Sequence, residues 1–435
     1  MGVNQTIFLL DRICLFIKIK SIKSGCLKYK LEAAAFLTMT RFDIINFYII
    51  IAVAKQGEKT MNAILEEIIK LRKNKPLIID YKNKNRYRIV TFEPDGSKTA
   101  YYFSAPIYNN ESKKLIDKRF ELHDNIAHLI GSNSKITLSN KIRMKNAEGV
   151  CTISLSNSTF NVTNSSIICG KERIYPTTNG ITIQSPCING KPFSFNIEIN
   201  KPFLEVKSNN KYFAIMSEKF RPFFVISCIG TSDLNGNIIS PAKISYQKVS
   251  DLKYTITITP CSSLGKYVLI EANLYELKLF QDTTVESKNS KSNNVFGSVG
   301  FIGNTVEFGE QWLYSKLDYT IIPELTDKKI IHATLHLPKL NLNSAELRAS
   351  KVSSRFCSFG SNWDNKISET SLQNDLQTID RYVDLDISPF ITNKQNRLVQ
   401  SDGFILKSKK KDSGFSVIAT GDSYYLPQIL EINYK

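Results

Sequence analysis

The chain has 435 residues, enough for two or three domains. At 42 % hydrophobic and 22 % charged, its composition is that of a folded globular protein and excludes a disordered one. Its net charge is +17; this reads either as attraction to an acidic partner (nucleic acid, teichoic acid or acidic polysaccharide) or, the favoured reading because the lysines are dispersed, as a lysine-rich solvated surface, with no specific nucleic-acid motif.

Residues 1–60 differ from the rest. Two apolar patches, Ile7-Phe8-Leu9-Leu10 through Ile19 and Ile44 through Ala54, are each shorter than the roughly 18–20 residues a membrane span needs. Three readings stay open. The segment is an atypical export signal ending in Ala52-Val53-Ala54. Or it is a membrane or surface anchor. Or, the favoured reading, it is not native and translation starts at Met61 (or Met39). Membrane contact is expected only if 1–60 are native. From Met61, Ile64, Leu65, Ile68 and Ile69 fall at helical spacing and predict a short amphipathic helix within 61–77. Asn74 and Pro76 stop it.

Residues 78–279 read as a β-rich domain. Arg86 to Phe92 alternates in polarity, Glu93-Pro94-Asp95-Gly96-Ser97 supplies a turn, and Lys98 to Ser104 returns, which predicts a hairpin. Further strands are expected at 135–138, 150–155, 180–184, 193–199, 253–258 and 266–270, separated by Asn-Gly, Pro and Ser turns, as an all-β sandwich requires. After Asp95-Gly96, the run Ala105-Pro106-Ile107-Tyr108 and then Leu115-Ile116-Asp117 resembles an N-terminal segment of Gram-positive wall-associated and RHS-type surface proteins. The RHS repeats of those proteins are absent. Three sequons between Asn157 and Ser166 are what chance yields in a Ser/Asn-rich stretch. The eight cysteines show no CxxC and no zinc spacing, so buried free thiols are expected. One or two disulfides among Cys151, Cys169 and Cys187 remain an alternative.

Residues 280–435 carry landmarks in a fixed order. They are Asp282-Thr283-Thr284-Val285, the glycines of Gly297 to Gly303, Leu317-Asp318-Tyr319, Ile331 to Leu337 and Ala349-Ser350-Lys351-Val352. Trp363-Asp364-Asn365, Val383 to Ser388, Asp402 to Lys407 and Leu426 to Tyr434 complete the series. This series resembles the extracellular β-sandwich module called the DNRLRE domain, related to alginate-type carbohydrate-binding modules. The resemblance implies a jelly-roll-like antiparallel sandwich, export, and a Gram-positive setting. The fold expected for the whole chain is therefore all-β, with two β-rich regions and a short N-terminal helix.

No catalytic constellation is legible. His332 and His336 lie in one strand, where four residues span roughly 13 Å, too far for one metal ion; both are expected on a solvated face. There is no G-x-S-x-G elbow, and Gly297 to Gly303 leads into a strand rather than a phosphate-binding helix. The run Lys407-Ser408-Lys409-Lys410-Lys411 reads as a solvated turn. The ligand candidates are Trp312, Trp363, Asp364, Asn365, Tyr424 and Tyr425, because aromatic rings stack on sugars. In the resembled family a Trp-Asn pair at the place of Trp363 is structural, its ring closing one end of the sandwich, and Asp364 interrupts that pair here. Asp386 matches a family step that caps the segment 389–391. Asp282 is a candidate calcium ligand with other loop oxygens; no other cofactor is expected. The expected function is a non-catalytic, extracellular or surface-associated protein binding cell-wall or acidic polysaccharide. The alternatives are a self-associating structural subunit and a polysaccharide-degrading enzyme with its active site in the middle region.

Overall fold

In the computed structural model the described residues are 62–435 apart from 74, 110, 130–131, 133, 156–159, 163–165, 188, 204, 218–220, 343–344, 380 and 411–413. The readings for residues 1–60 and most of the sequon stretch lie outside them. The fold is all-β, as expected, built from four antiparallel sheets of six, nine, eight and seven strands.

Two of these sheets form a sandwich from Phe120 to Leu274. The eight-stranded sheet runs from the edge strand Ala242–Ser250 to Phe120–His123, and the nine-stranded sheet includes Pro222–Ser232 and Tyr267–Leu274. Period-two alternation turns Ile153, Ile197, Ile256 and Ile258 from one sheet against Ile181, Ile183, Ile226 and Ile270 from the other.

The other two sheets form a second sandwich. Its seven-stranded sheet includes Phe280–Glu286, Val299–Thr305, Gly309–Leu317, Leu347–Val352 and Phe404–Ser408. Its six-stranded sheet holds Ile330–Pro338, Tyr382–Asp386 and Ile429–Tyr434. The predicted hairpin forms as Arg88–Phe92 and Lys98–Phe103, with Gly96 at φ 81° in the turn. A division at 279/280 places that hairpin with the middle region, but strand pairing places it here. Lys98–Phe103 runs antiparallel to the last strand, with Lys98 opposite Tyr434 and Phe103 opposite Ile429. The first sandwich is thus inserted into the second. The reason is two-sided burial. Val90, Ala100 and Tyr102 face the core of the second sandwich. Ile89, Tyr101 and Phe103 face the other way and are also buried, so the hairpin must be covered on both faces.

The helix Ala63–Leu71 covers that outer face. Asn62 caps it, accepting from the Ile64 N–H at 2.9 Å. Ile64 and Ile68 pack on Ile89, Tyr101 and Phe103, each contributing about 2 kcal/mol by burial. The buried Arg72 follows the helix and donates to Glu93 Oε1 at 2.6 Å, Thr91 Oγ1 at 2.9 Å and the Pro76 carbonyl at 2.9 Å.

The two sandwiches meet through the outer faces of the nine- and seven-stranded sheets, where Ile229, Ile238 and Leu269 contact Val299, Phe301 and Val417. Pro222–Ser232 is consequently buried along its whole length, and it reads as a near-continuous apolar run. The six described cysteines are free thiols, four of them buried. No helix among the described residues is long and apolar enough to cross a membrane.

Candidate functional site

Two neighbouring surfaces carry the chemistry, and the segment 353–368 borders both. The first is an aromatic patch. Trp312 stands on the outer face of Gly309–Leu317, and Trp363 comes from the 353–368 segment. Their ring centres are 4.8 Å apart, tilted by 52°. They lie over Val285, Tyr314, Val352 and Ile405, so part of each ring closes a small core beneath the segment. Lys407 sits 3.5 Å from the Trp312 ring centre and Lys366 4.6 Å from that of Trp363. Lys407 therefore belongs to a strand and is buried. Its expected place in a solvated turn is corrected because its ammonium head lies over the indole and pairs with Glu369 at 3.3 Å. Lys411 lies outside the described residues. Asp364 is exposed and accepts from Ser290 Oγ at 3.1 Å. Asn365 holds a turn, accepting from the Asn362 N–H at 2.7 Å and donating to the Gly360 carbonyl at 2.9 Å.

The second surface is a cleft of about 570 Å³ between the two sandwiches. Its floor holds Asp282, Asp422 and Lys278. Asp282 is 2 % exposed. Its Oδ2 accepts from the Gly421 N–H at 2.5 Å, and a Cβ on Gly421 would meet that oxygen at 3.0 Å, so glycine is what lets the backbone come this close. Asp282 and Asp422 are hydrogen-bonded to each other. Burial, and then the neighbouring carboxylate, push Asp282 well above the usual range. Burial pushes Asp422 up to about 7. The pair therefore shares a proton at neutral pH. Burial also pushes the Lys278 amine down to about 8. Its Nζ lies 3.0 Å from the Tyr424 ring centre and donates to the Asp422 carbonyl at 3.3 Å.

The mouth of the cleft is basic and aromatic. Lys316 donates to the Phe356 carbonyl at 3.1 Å. Burial, and then the Arg355 guanidinium, push its amine down. Neither Lys316 nor Arg355 forms an ion pair among the described residues, whereas Arg221 is matched by Glu148 at 2.8 Å. Phe359 is 53 % exposed and Leu277 is 60 % exposed at the same mouth.

The sequence candidates separate accordingly. Trp312 and Trp363 come together; Asp364 and Asn365 stay beside them. Tyr424, equally readable from sequence as an exposed loop residue or a core residue, is a core residue. It is 2 % exposed, Lys278 covers its ring, and its hydroxyl accepts from the Glu276 N–H at 2.6 Å. Tyr425 is half-buried, its ring centre 6.4 Å from that of Tyr175. Asp282 lies on the cleft floor among hydrogen-bond donors. Among the described residues no group of three or more His, Cys, Asp or Glu is placed to hold a metal ion. Asp386 Oδ1 accepts from the Ser388 N–H at 2.9 Å, at the start of the short helix Ser388–Ile391.

His336 is not on a solvated face. It is buried, with Nδ1 2.7 Å from Asp384 and Nε2 3.2 Å from Glu431. The helix Ala63–Leu71 reaches this face, where Tyr382 packs on His336 and donates to Glu67 at 2.6 Å. His332 is exposed. The cleft residues that sequence reasoning missed are Lys278, Asp422, Lys316 and Arg355. Lys278 alone carried a signal, as one of two charges, with Glu276, in the otherwise apolar stretch Leu274 to Phe280. No family model and no curated protein matches the chain.

Proposed function

We propose that the protein is a non-catalytic, surface-associated binder of acidic polysaccharide, and that the cleft mouth is its binding site. The observation that carries this reading is the pair Lys316 and Arg355, neither in an ion pair among the described residues, beside the exposed Phe359 ring. Two cations that form no ion pair among the described residues are suited to sugar carboxylates, and a half-exposed ring, packed edge-on against Phe296, is suited to the apolar face of a pyranose. The resemblance of 280–435 to carbohydrate-binding sandwiches points the same way and carries the cell-surface placement. Direct contact between Asp282 and Asp422 favours binding over glycoside hydrolysis, which needs carboxyl groups roughly 5–9.5 Å apart around the scissile bond.

The full chain should retain polygalacturonate or alginate in affinity electrophoresis and pass neutral glucans unretained. Arg355→Ala with Phe359→Ala should abolish retardation while leaving the fold intact by circular dichroism. Unchanged retardation in that variant would remove the cleft as the site.

A second reading, a self-associating subunit, is favoured by one feature. Ala242–Ser250 is a nine-residue edge strand, paired on one side only, with Tyr246 and Val249 exposed. Concentration-dependent sedimentation abolished by Val249→Lys, with no glycan retained, would establish it instead.

A further inference from the structure

A second cluster of buried ionisable groups lies apart from the cleft floor, where the two sandwiches meet. Lys211 precedes the strand Tyr212–Met216 of the first sandwich and is 3 % exposed. Its Nζ lies 2.5 Å from Glu286 Oε2 and 2.7 Å from Gln311 Oε1. Both acceptors belong to the second sandwich, on directly opposed positions of Phe280–Glu286 and Gly309–Leu317. Glu286 is 1 % exposed and Gln311 is fully buried. The Phe308 ring, its centre 4.5 Å from Nζ, closes the site to water. The Gln311 Nε2 group is buried and has no hydrogen-bond partner, an expense of about 1–3 kcal/mol that a plain ion pair does not explain.

We propose that this cluster is an intramolecular amide-forming site, in which Lys211 Nζ becomes covalently joined to Gln311 Cδ. The carbon to be attacked is one bond from the oxygen to which Nζ donates at 2.7 Å, so burial holds nucleophile and carboxamide side by side. Burial pushes the Lys211 amine down, favouring the neutral nucleophile. The ammonium first passes a proton to the Glu286 carboxylate. The Nζ lone pair then forms the N–C bond to Cδ. Glu286 returns its proton to Nε2 as the Cδ–Nε2 bond breaks, and takes the remaining proton from Nζ. Ammonia leaves and carries that last proton away as ammonium, so Glu286 ends as it began. No oxidant, cofactor or second enzyme is needed. Nε2, the atom without a partner, is the leaving group.

Asn294 is the rival carboxamide. Its Oδ1 is taken by Asn209 Nδ2 at 2.6 Å and its Nδ2 donates to the Thr284 carbonyl at 3.1 Å, so it presents no carbonyl to Lys211. The product would tie the inserted sandwich to its host by a bond that unfolding does not break.

The test is mass spectrometry of the purified full chain under denaturing conditions, with tryptic mapping. The expected result is a mass one ammonia below the sequence sum and a branched peptide joining Lys211 to Gln311. Glu286→Gln should restore the full mass with the chain still folded. A wild-type chain at its full sequence mass, cleaved normally after Lys211, would overturn the proposal whatever the variants do. A branch at Asn294 would overturn the assignment to Gln311, and a cross-link that persists in Glu286→Gln would overturn the role given to Glu286.

Discussion

The buried His336 makes stability depend on pH in a calculable way. Burial opposes its charge, but the hydrogen bonds to Asp384 and Glu431 outweigh that cost and push the imidazole from 6.5 up to about 9. A folded-state pKa above the unfolded one favours the protonated ring in the folded state. The stabilisation is therefore complete below pH 6.5 and is lost as pH rises through about 9. The shift corresponds to on the order of 3 kcal/mol at its full extent. Both tryptophans of the chain, Trp312 and Trp363, sit in the sandwich that contains His336, so their fluorescence reports the unfolding of that sandwich and not of the inserted one. Urea titrations at pH 6, 8 and 9.5 should show the wild type losing stability relative to His336→Gln across this range. Subtracting the variant's profile removes the contributions of other groups, including Lys278 and Asp422. Parallel profiles for the two proteins from pH 6 to 9.5 would refute the assignment of a charged, doubly bonded His336.

Three further outcomes are expected. Asp422→Asn should stabilise the protein at pH 8 by on the order of 2 kcal/mol, because a carboxyl whose folded pKa is raised from 3.8 to about 7 costs stability progressively between those values and carries the full cost at pH 8; equal urea midpoints at pH 8 would contradict this. Arg72→Ala should cost about 3–5 kcal/mol, since it leaves the largely buried Glu93 without its counter-ion, and a loss under 1 kcal/mol by fluorescence-monitored unfolding would contradict it. The fragment 280–435 should fail to fold alone, because it lacks the hairpin that pairs with Ile429–Tyr434 and supplies Val90, Ala100 and Tyr102 to the core; a dispersed NMR spectrum from that fragment would show otherwise.

Local pattern made much of the fold legible. Asp95-Gly96 between two alternating runs specified a hairpin, and the spacing of Ile64 and Ile68 specified a helix with one apolar stripe. Neither pattern says which sheet the hairpin joins, because Lys98–Phe103 pairs with a strand at the far end of the chain. The same non-locality hid the environment of His336. Period two puts its side chain on the outer face of its strand, and only the arrival of the 63–71 helix buries that face. Trp312 and Trp363 stood out by residue type, yet their contact across the sheet has no local signature. The cleft was the least legible, because Lys278, Lys316, Arg355 and Asp422 come from four separate stretches. Each is an ordinary charged residue in sequence, and only Lys278, with Glu276 beside it, falls in an otherwise apolar stretch. The shifted proton affinities of Lys278, Lys316 and Asp422 are products of burial, which folding creates.

The most direct test of the account is isothermal titration of the full chain with oligogalacturonate at low and high salt, beside the variant Lys316→Ala with Arg355→Ala. The account predicts saturable binding at one site that persists, weakened, at high salt and is lost in the variant. Heat that vanishes at high salt for the wild type, or a variant that binds as the wild type does, would show that the dispersed lysines merely attract polyanions and would contradict a specific site in the cleft.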